Sequence, residues 1–274
     1  MLWKRCASGA VMIVILAVLL YTGGTALGIG ICIVSLCGQY EYYRAVGVAS
    51  DGKPFNALTV PAYIATIALY IRECLLTNDS YIFGAICALL VIALLGVMVI
   101  DYPKVEHEVI ARAFFGFIYV SVMLSFIFGI RNMDGGVYLV WMVFIASSVC
   151  DLFAYFFGML LGKHRLAPVL SPKKSIEGAV AGSLCAALVG LGYGIFTAGR
   201  INMNMNPVIV FPIMALLASV VAQIGDLAAS AIKRQTGIKD YGKLIPGHGG
   251  ILDRVDSIIL TAPIIFVVLK LAGC

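Results

Sequence analysis

Apolar residues in this chain come in long runs, and polar residues come in short breaks between them. The runs cover roughly residues 6–21, 25–43, 57–76, 81–100, 109–130, 136–161, 175–198, 207–233 and 251–272, nine in all. Each is near the ~20 residues that carry a helix across a bilayer, so the pattern predicts nine membrane-spanning helices. The breaks hold the residues that end helices, such as Thr22-Gly23-Gly24, Asp51-Gly52-Lys53-Pro54, Thr77-Asn78-Asp79 and Asp101-Tyr102-Pro103. The first run is short and follows Lys4 and Arg5, as the apolar core of a signal peptide does. No small-x-small cleavage site comes after it and the hydrophobicity resumes at once, so it counts as a helix.

Composition agrees with that pattern. Of 274 residues, 62% are hydrophobic and 12% charged, with a mean hydropathy of +1.03. A soluble domain carries about 45–50% apolar and about 25% charged residues. A water-soluble globule, a disordered chain and a disulfide scaffold are all excluded. The eight cysteines lie mostly within apolar runs and form no C-x-x-C pair, so they read as small buried hydrophobes. The fold class is therefore all-α, a polytopic integral membrane protein.

The net charge of +5 says less than its distribution. With a cytoplasmic N-terminus, the inside segments carry 15 basic residues: Lys4, Arg5, Arg44, Lys53, Lys104, Arg112, Lys163, Arg165, Lys173, Lys174, Lys233, Arg234, Lys239, Lys243 and Arg254. The outside segments carry four, Arg72, Arg131, Arg200 and Lys270. This asymmetry follows the positive-inside rule and predicts an N-in, C-out topology. No internal repeat is visible, and the longest polar stretch, 234–250, is about 17 residues. The chain divides into N-terminal helices over 1–100, a middle region over 101–135 and a chemistry-bearing region over 136–274.

Charges inside a membrane are costly and mark functional sites. Three places carry them. In the sixth run Asp151, Tyr155, Gly158 and Gly162 share one helix face, with Asp151 about 16 Å before the cytoplasmic end by helical rise. In the eighth, Gln223, Asp226, Ser230 and Lys233 form a polar stripe running to the cytoplasmic surface. The third is the loop into the last run: Lys233-Arg234, Lys239-Asp240, Lys243, Pro246-Gly247-His248-Gly249-Gly250, then Asp253-Arg254-Val255-Asp256. A fourth stretch, Ser171-Pro172-Lys173-Lys174-Ser175-Ile176-Glu177-Gly178, lies on the same side, with Ser171 as a candidate cap. Each has a bland alternative: a buried acid with a helix partner, an interhelical hydrogen-bond seam, or a basic loop on anionic lipid heads. Together they have a chemical logic. Clustered carboxylates bind a hard divalent cation such as Mg²⁺ with substrate phosphates. Lys and Arg neutralise phosphate charge, and glycines let backbone N–H groups approach phosphates. The combination points to phosphoryl or nucleotidyl transfer onto a lipid head group.

The residues also resemble a known family. The segment S-A-I-K-R-Q-T-G-I-K-D-Y-G-K-L-I-P-G-H-G-G-I-L-D-R-V-D, from Ser230 to Asp256, is similar to the signature of the phosphatidate cytidylyltransferases, or CDP-diacylglycerol synthases. S-P-K-K-S-I-E-G at 171–178 resembles that family's S-P-K-K-T-x-E-G block, with Ser175 for the commoner Thr. Asp151, Ala154-Tyr155 and Gly158 resemble its D-x-x-A-Y-x-x-G block, and Glu41-Tyr42-Tyr43-Arg44 an N-terminal feature.

The resemblance implies transfer of the cytidylyl group of CTP to phosphatidate, in a bacterial inner membrane, with the site on the cytoplasmic side. It further implies an all-helical fold, a homodimer, no nucleic-acid partner, and Mg²⁺ with K⁺ as a second ion. Asp226, Asp253 and Asp256 fall on the metal positions. Lys233, Arg234, Lys239, Lys243 and Arg254 are then expected to stabilise the triphosphate or lipid phosphate, and Lys173 and Lys174 the lipid phosphate or pyrophosphate. Ser171 and Ser230 count among the substrate-side residues, with Asp151 orienting a cation. Gly247, Gly249 and Gly250 bring backbone close, with His248 as a donor.

Two rivals remain on sequence grounds. One is another CTP-dependent lipid phosphotransferase; the D-G-x-x-A-R run of a CDP-alcohol phosphotransferase is absent. The other is a proton-coupled secondary transporter, whose sites lie near the midplane between repeats. Here no repeat is seen, and the acids crowd toward one face beside cations.

Overall fold

The computed structural model describes residues 2–75, 80–242 and 249–274. Each apolar run falls on a helix: α1 Leu2–Thr22, α2 Gly24–Ala45, α3 Thr59–Leu75, α4 Ser80–Ile100, α5 His107–Arg131, α6 Gly136–Leu161, α7 Ile176–Thr197, α8 Pro207–Gln235 and α9 Leu252–Leu271. Among the described residues, α4 to α8 are five helices long and apolar enough to cross a membrane. Large apolar side chains such as Leu89, Ile92, Leu160, Leu184, Leu188 and Val220 lie exposed. Water does not tolerate such faces, but lipid does. The chain is an all-helical, multi-pass membrane protein.

The fold divides into two compact units, Met1–Phe128 with Thr236–Arg254, and Gly129–Gln235 with Val255–Cys274. The first contains α1 to α4 and most of α5, joined by the segment that leads into α9. Its interior is held by a polar seam as well as by Leu27, Tyr43, Leu69 and Phe117. Gln39 donates to the Tyr43 hydroxyl (2.8 Å), which donates to the Ala113 carbonyl (2.7 Å). Thr66 donates to Gln39 Oε1 (2.9 Å) and shares a hydrogen bond with Ser121 (2.9 Å). Inside lipid such bonds specify which helix faces meet, at about 1 kcal/mol each. A π-helical stretch, Phe117–Val122, widens one turn of α5, and the Tyr70 hydroxyl donates to its Ser121 carbonyl (3.2 Å).

The second unit contains α6, α7, α8 and the remainder of α9. Helix α7 shows how it packs. Gly178, Gly182, Ala186, Gly190 and Gly194 form a buried stripe at every fourth position, while Val180, Leu184 and Leu188 face outward. Small residues at this spacing let backbones approach closely. A Cβ on Gly182 would stand 2.6 Å from the Cys150 carbonyl oxygen of α6, and one on Gly194 2.7 Å from that of Pro207 at the start of α8. The chemistry-bearing helices are thus drawn to backbone contact.

Between α6 and α7 the chain forms a small antiparallel hairpin that the sequence pattern did not predict. β1, Arg165–Ala167, pairs with β2, Ser171–Ser175, through Arg165 with Ser175 and Ala167 with Ser171. Its strands are too short to show a two-residue alternation. The cap of α7 also differs from expectation. Ser171 lies in β2, and it is Ser175 whose hydroxyl accepts from the Gly178 N–H (3.2 Å). The Glu177 carboxylate accepts from the backbone N–H groups of Lys163 (3.1 Å) and His164 (3.2 Å), tying the end of α6 to the start of α7.

Candidate functional site

Within the second unit a cavity of about 610 Å³ opens where α6, α7, α8 and the hairpin meet. Its polar wall carries Asp151, Arg165, Lys173, Lys174, Gln223 and Asp226; its apolar wall carries Ala154, Met159, Leu166 and Ala179, with Tyr155 at 66% exposure. A charged head group and an adjoining hydrocarbon chain are the two chemistries these walls match.

Each charged group reaches the cavity for a local reason. A π-helical stretch, Ile145–Val149, ends one residue before Cys150 and resets the phase of α6 ahead of Asp151. Such bulges re-aim functional side chains. Asp151 Oδ2 accepts from the Ser257 hydroxyl at 3.5 Å. Gln223 of α8 donates to the Ala179 carbonyl (3.2 Å) and the Ser183 hydroxyl (2.9 Å) of α7. That pair of bonds fixes the rotation of α8 and aims Asp226, three residues on, into the cavity. Lys174 reaches Asp226 from β2 and ion-pairs with its carboxylate. Gly225 allows this close packing: its Cβ would stand 2.7 Å from the Asp256 carbonyl oxygen. Asp256 itself is 8% exposed and lies in the electrostatic field of Asp226, Lys233 and Asp151. The unit therefore collects three carboxylates and two ammonium groups from α6, β2, α8 and α9.

Lys174 has a further property. Its ammonium group carries three donors and is buried, yet among the described residues it makes no hydrogen bond beyond its ion pair with Asp226. Donors so placed suit the oxygens of a phosphate entering the cavity.

The remaining sequence-predicted residues distribute as follows. Ser171 stands half-buried on β2, and Ser230, Lys233 and Arg234 follow Asp226 down α8. Lys239, Gly249, Gly250, Asp253 and Arg254 belong to the first unit. There Asp253 Oδ2 accepts from the backbone N–H groups of Tyr241 (2.8 Å) and Gly250 (3.1 Å). Lys243, Gly247 and His248 lie outside the described residues. Arg165 was missed by sequence reasoning, because no motif marks it and only the hairpin turns it to the cavity. Gln223 was visible as part of the α8 stripe but not as the residue that orients Asp226.

A cavity that offers cations and carboxylates beside an apolar wall, among helices apolar enough to cross a membrane, has the chemistry to receive a phosphate group. The sequence profile described as "Cytidylyltransferase family" matches residues 3–272. The chain belongs to this family, and it is a nucleotidyltransferase. Relatives named phosphatidate cytidylyltransferase come from Staphylococcus. The protein of S. epidermidis RP62A is 32% identical over 220 residues, covering 77% of this chain and 80% of that one. The S. aureus COL protein is 34% identical over 187 residues, covering 65% and 70%. The S. haemolyticus protein is 27% identical over 275 residues, covering 97% and 98%.

Proposed function

We propose that the chain transfers the cytidylyl group of CTP to phosphatidate, giving CDP-diacylglycerol and pyrophosphate, in a bacterial cell membrane. A phosphate oxygen of phosphatidate, already anionic near neutral pH, attacks the α-phosphorus of CTP. The bond from that phosphorus to the oxygen bridging the α- and β-phosphates breaks, and pyrophosphate leaves with the electron pair. No protein base is required, so the protein acts by positioning and by neutralising charge. The observation that carries this reading is the buried Lys174 ammonium, with its unmet donors, against Asp226 in a cavity that also has an apolar wall. Lys173 and Arg165 extend the same cationic wall. Acyl chains are accommodated along Met159, Leu166 and the lipid-facing side of α6.

Mg²⁺ fits the same unit. Among the described residues no three His, Cys, Asp or Glu side chains form a complete cage. However, Mg²⁺ is usually bound through one or two carboxylates together with waters and substrate phosphates. Asp226 and Asp256 would hold it, with Asp151 alongside. The observation favouring this is that Asp226 already neutralises a cationic group, the Lys174 ammonium, and that Asp151 and Asp256 bring further carboxylate oxygens into its electrostatic field. When bound, the ion supplies charge neutralisation on the phosphates.

The direct test is purified protein with labelled CTP and phosphatidate, with and without Mg²⁺. Labelled CDP-diacylglycerol and pyrophosphate are expected only with both substrates and the metal. Release of CDP or CMP instead supports another phosphotransferase, and solute uptake by proteoliposomes without CTP supports a carrier.

The excess of basic residues on one set of loops supports a site at the cytoplasmic face. A Gln235→Cys variant, at an exposed position, is expected to react with an impermeant thiol reagent in inverted vesicles. It should be protected in right-side-out vesicles. Labelling in the latter reverses the orientation.

A further inference from the structure

One stretch of α2 holds the signature segment at two places, Tyr241 and Ile251-Leu252, and neither holding residue has a part in the chemistry above. Glu41 is 5% exposed. Its Oε1 accepts from the Ile251 N–H (3.1 Å) and its Oε2 from the Leu252 N–H (2.8 Å). These are among the N–H groups that a starting helix cannot satisfy itself, and a carboxylate there also complements the helix dipole. Three residues on, Arg44 donates through Nη2 to the Tyr241 carbonyl and pairs with Asp51 at 3.4 Å. Asp253 then links the two places to each other, accepting from both the Tyr241 and Gly250 N–H groups. The two glycines here are required by contact. A Cβ on Gly242 or on Gly250 would run into the Glu41 carboxylate.

We propose that Glu41 and Arg44 are positioning residues for cytidylyl transfer, a clamp that sets where Tyr241, Gly250 and the first turn of α9, with Asp253 and Arg254, stand. The proposal rests on the activity assigned above. Packing alone does not account for a carboxylate at this place. Burying one costs desolvation that an apolar side chain avoids, whereas the two carboxylate oxygens of Glu41 meet one amide each. A displacement on the order of an ångström in a reacting constellation costs up to about 100-fold in rate.

The test uses the full chain in nanodiscs and two readouts. Hydrogen exchange needs no turnover. Glu41→Gln is expected to speed exchange at Ile251 and Leu252 at least about tenfold, since a lost hydrogen bond of about 1.4 kcal/mol corresponds to that factor, and to leave α7 unchanged. No increase overturns the clamp whether or not the enzyme is active. In steady-state kinetics Glu41→Gln is expected to lower kcat about 10- to 100-fold with the KM for CTP within about threefold, the mark of an interaction felt in the transition state. An active wild type with a Glu41→Gln kcat within about twofold overturns the positioning role. A wild type that makes no CDP-diacylglycerol overturns the activity, and the catalytic half of the clamp with it. A double-mutant cycle adds a signature of contact. Gly250→Ala is expected to be less damaging in a Glu41→Ala background than alone, because the collision is gone; equal damage argues against the contact. Should Glu41→Gln not survive extraction, Arg44→Gln reads the other end. Faster exchange around Tyr241 with a lower kcat supports the clamp, and no change in either overturns it.

Discussion

Asp226→Asn is expected to lower turnover of CTP with phosphatidate by about 10²–10³-fold, the usual effect of removing one preorganised electrostatic group. Asp226 does two things in this fold. It faces the cavity beside Asp151, and it neutralises Lys174, whose ammonium group is buried. The amide removes the negative charge while keeping the volume, so Lys174 loses its counter-ion. Breaking a fully buried pair from one side costs about 3–5 kcal/mol; this pair is partly exposed, so a smaller drop in melting temperature accompanies the loss of rate. Raising Mg²⁺ does not restore the rate, because the missing oxygen charge is part of the proposed ion site. Asp256→Asn, at a position buried among the same carboxylates, behaves alike in activity but leaves the Lys174 pair intact. A thermal melt and a Mg²⁺ titration of both variants separate the two contributions. Turnover by Asp226→Asn within a few-fold of wild type contradicts the role of this carboxylate.

Gly182→Leu is expected to have the largest effect on folding. A Cβ there meets the Cys150 carbonyl oxygen at 2.6 Å and the Ala154 N at 3.0 Å. Both are helix backbone atoms that cannot swing aside as a side chain can. Overpacking a core costs about 1–3 kcal/mol where side chains can adjust, and here α6 and α7 must separate along their length. Separation also moves Asp151 away from Asp226 and Lys174, so activity is lost along with stability. Gly192→Leu on the same helix is the control. A Cβ at Gly192 meets nothing within 4 Å, and glycine is a poor helix residue. That variant is expected to purify and melt like wild type or slightly higher. If both variants melt alike, the glycine contact does not hold α6 and α7 together.

Particular residues show how much could be read in one dimension. The helices lie where the apolar runs lie, to within a few residues, because a bilayer imposes a length and a composition on whatever crosses it. The run at 207–233 became Pro207–Gln235, and that at 175–198 became Ile176–Thr197. Asp151, Asp226 and Asp256 stood out singly for the same reason, since an ionised group in an apolar helix is conspicuous. Their meeting was not visible. It depends on Gly178, Gly182 and Gly225 bringing four elements together and on Gln223 fixing a rotation. The sequence likewise places Asp253 and Asp256 three apart on one helix. Their employment differs: Asp253 accepts from the Tyr241 and Gly250 amides, and Asp256 is buried in the field of Asp226 and Asp151.

The primary structure settled the membrane-embedded, all-helical class, the family, and the stretches that bear charge, because hydropathy and a long motif of polar residues are local properties of the chain. The tertiary structure decided which of those charges share a cavity, brought Arg165 to its rim on a hairpin without a pattern of its own, and brought Glu41 to amides 210 and 211 residues away. Those outcomes arise from close approach of backbones and from unsatisfied hydrogen-bonding groups finding partners, and both depend on neighbours that lie far apart in sequence.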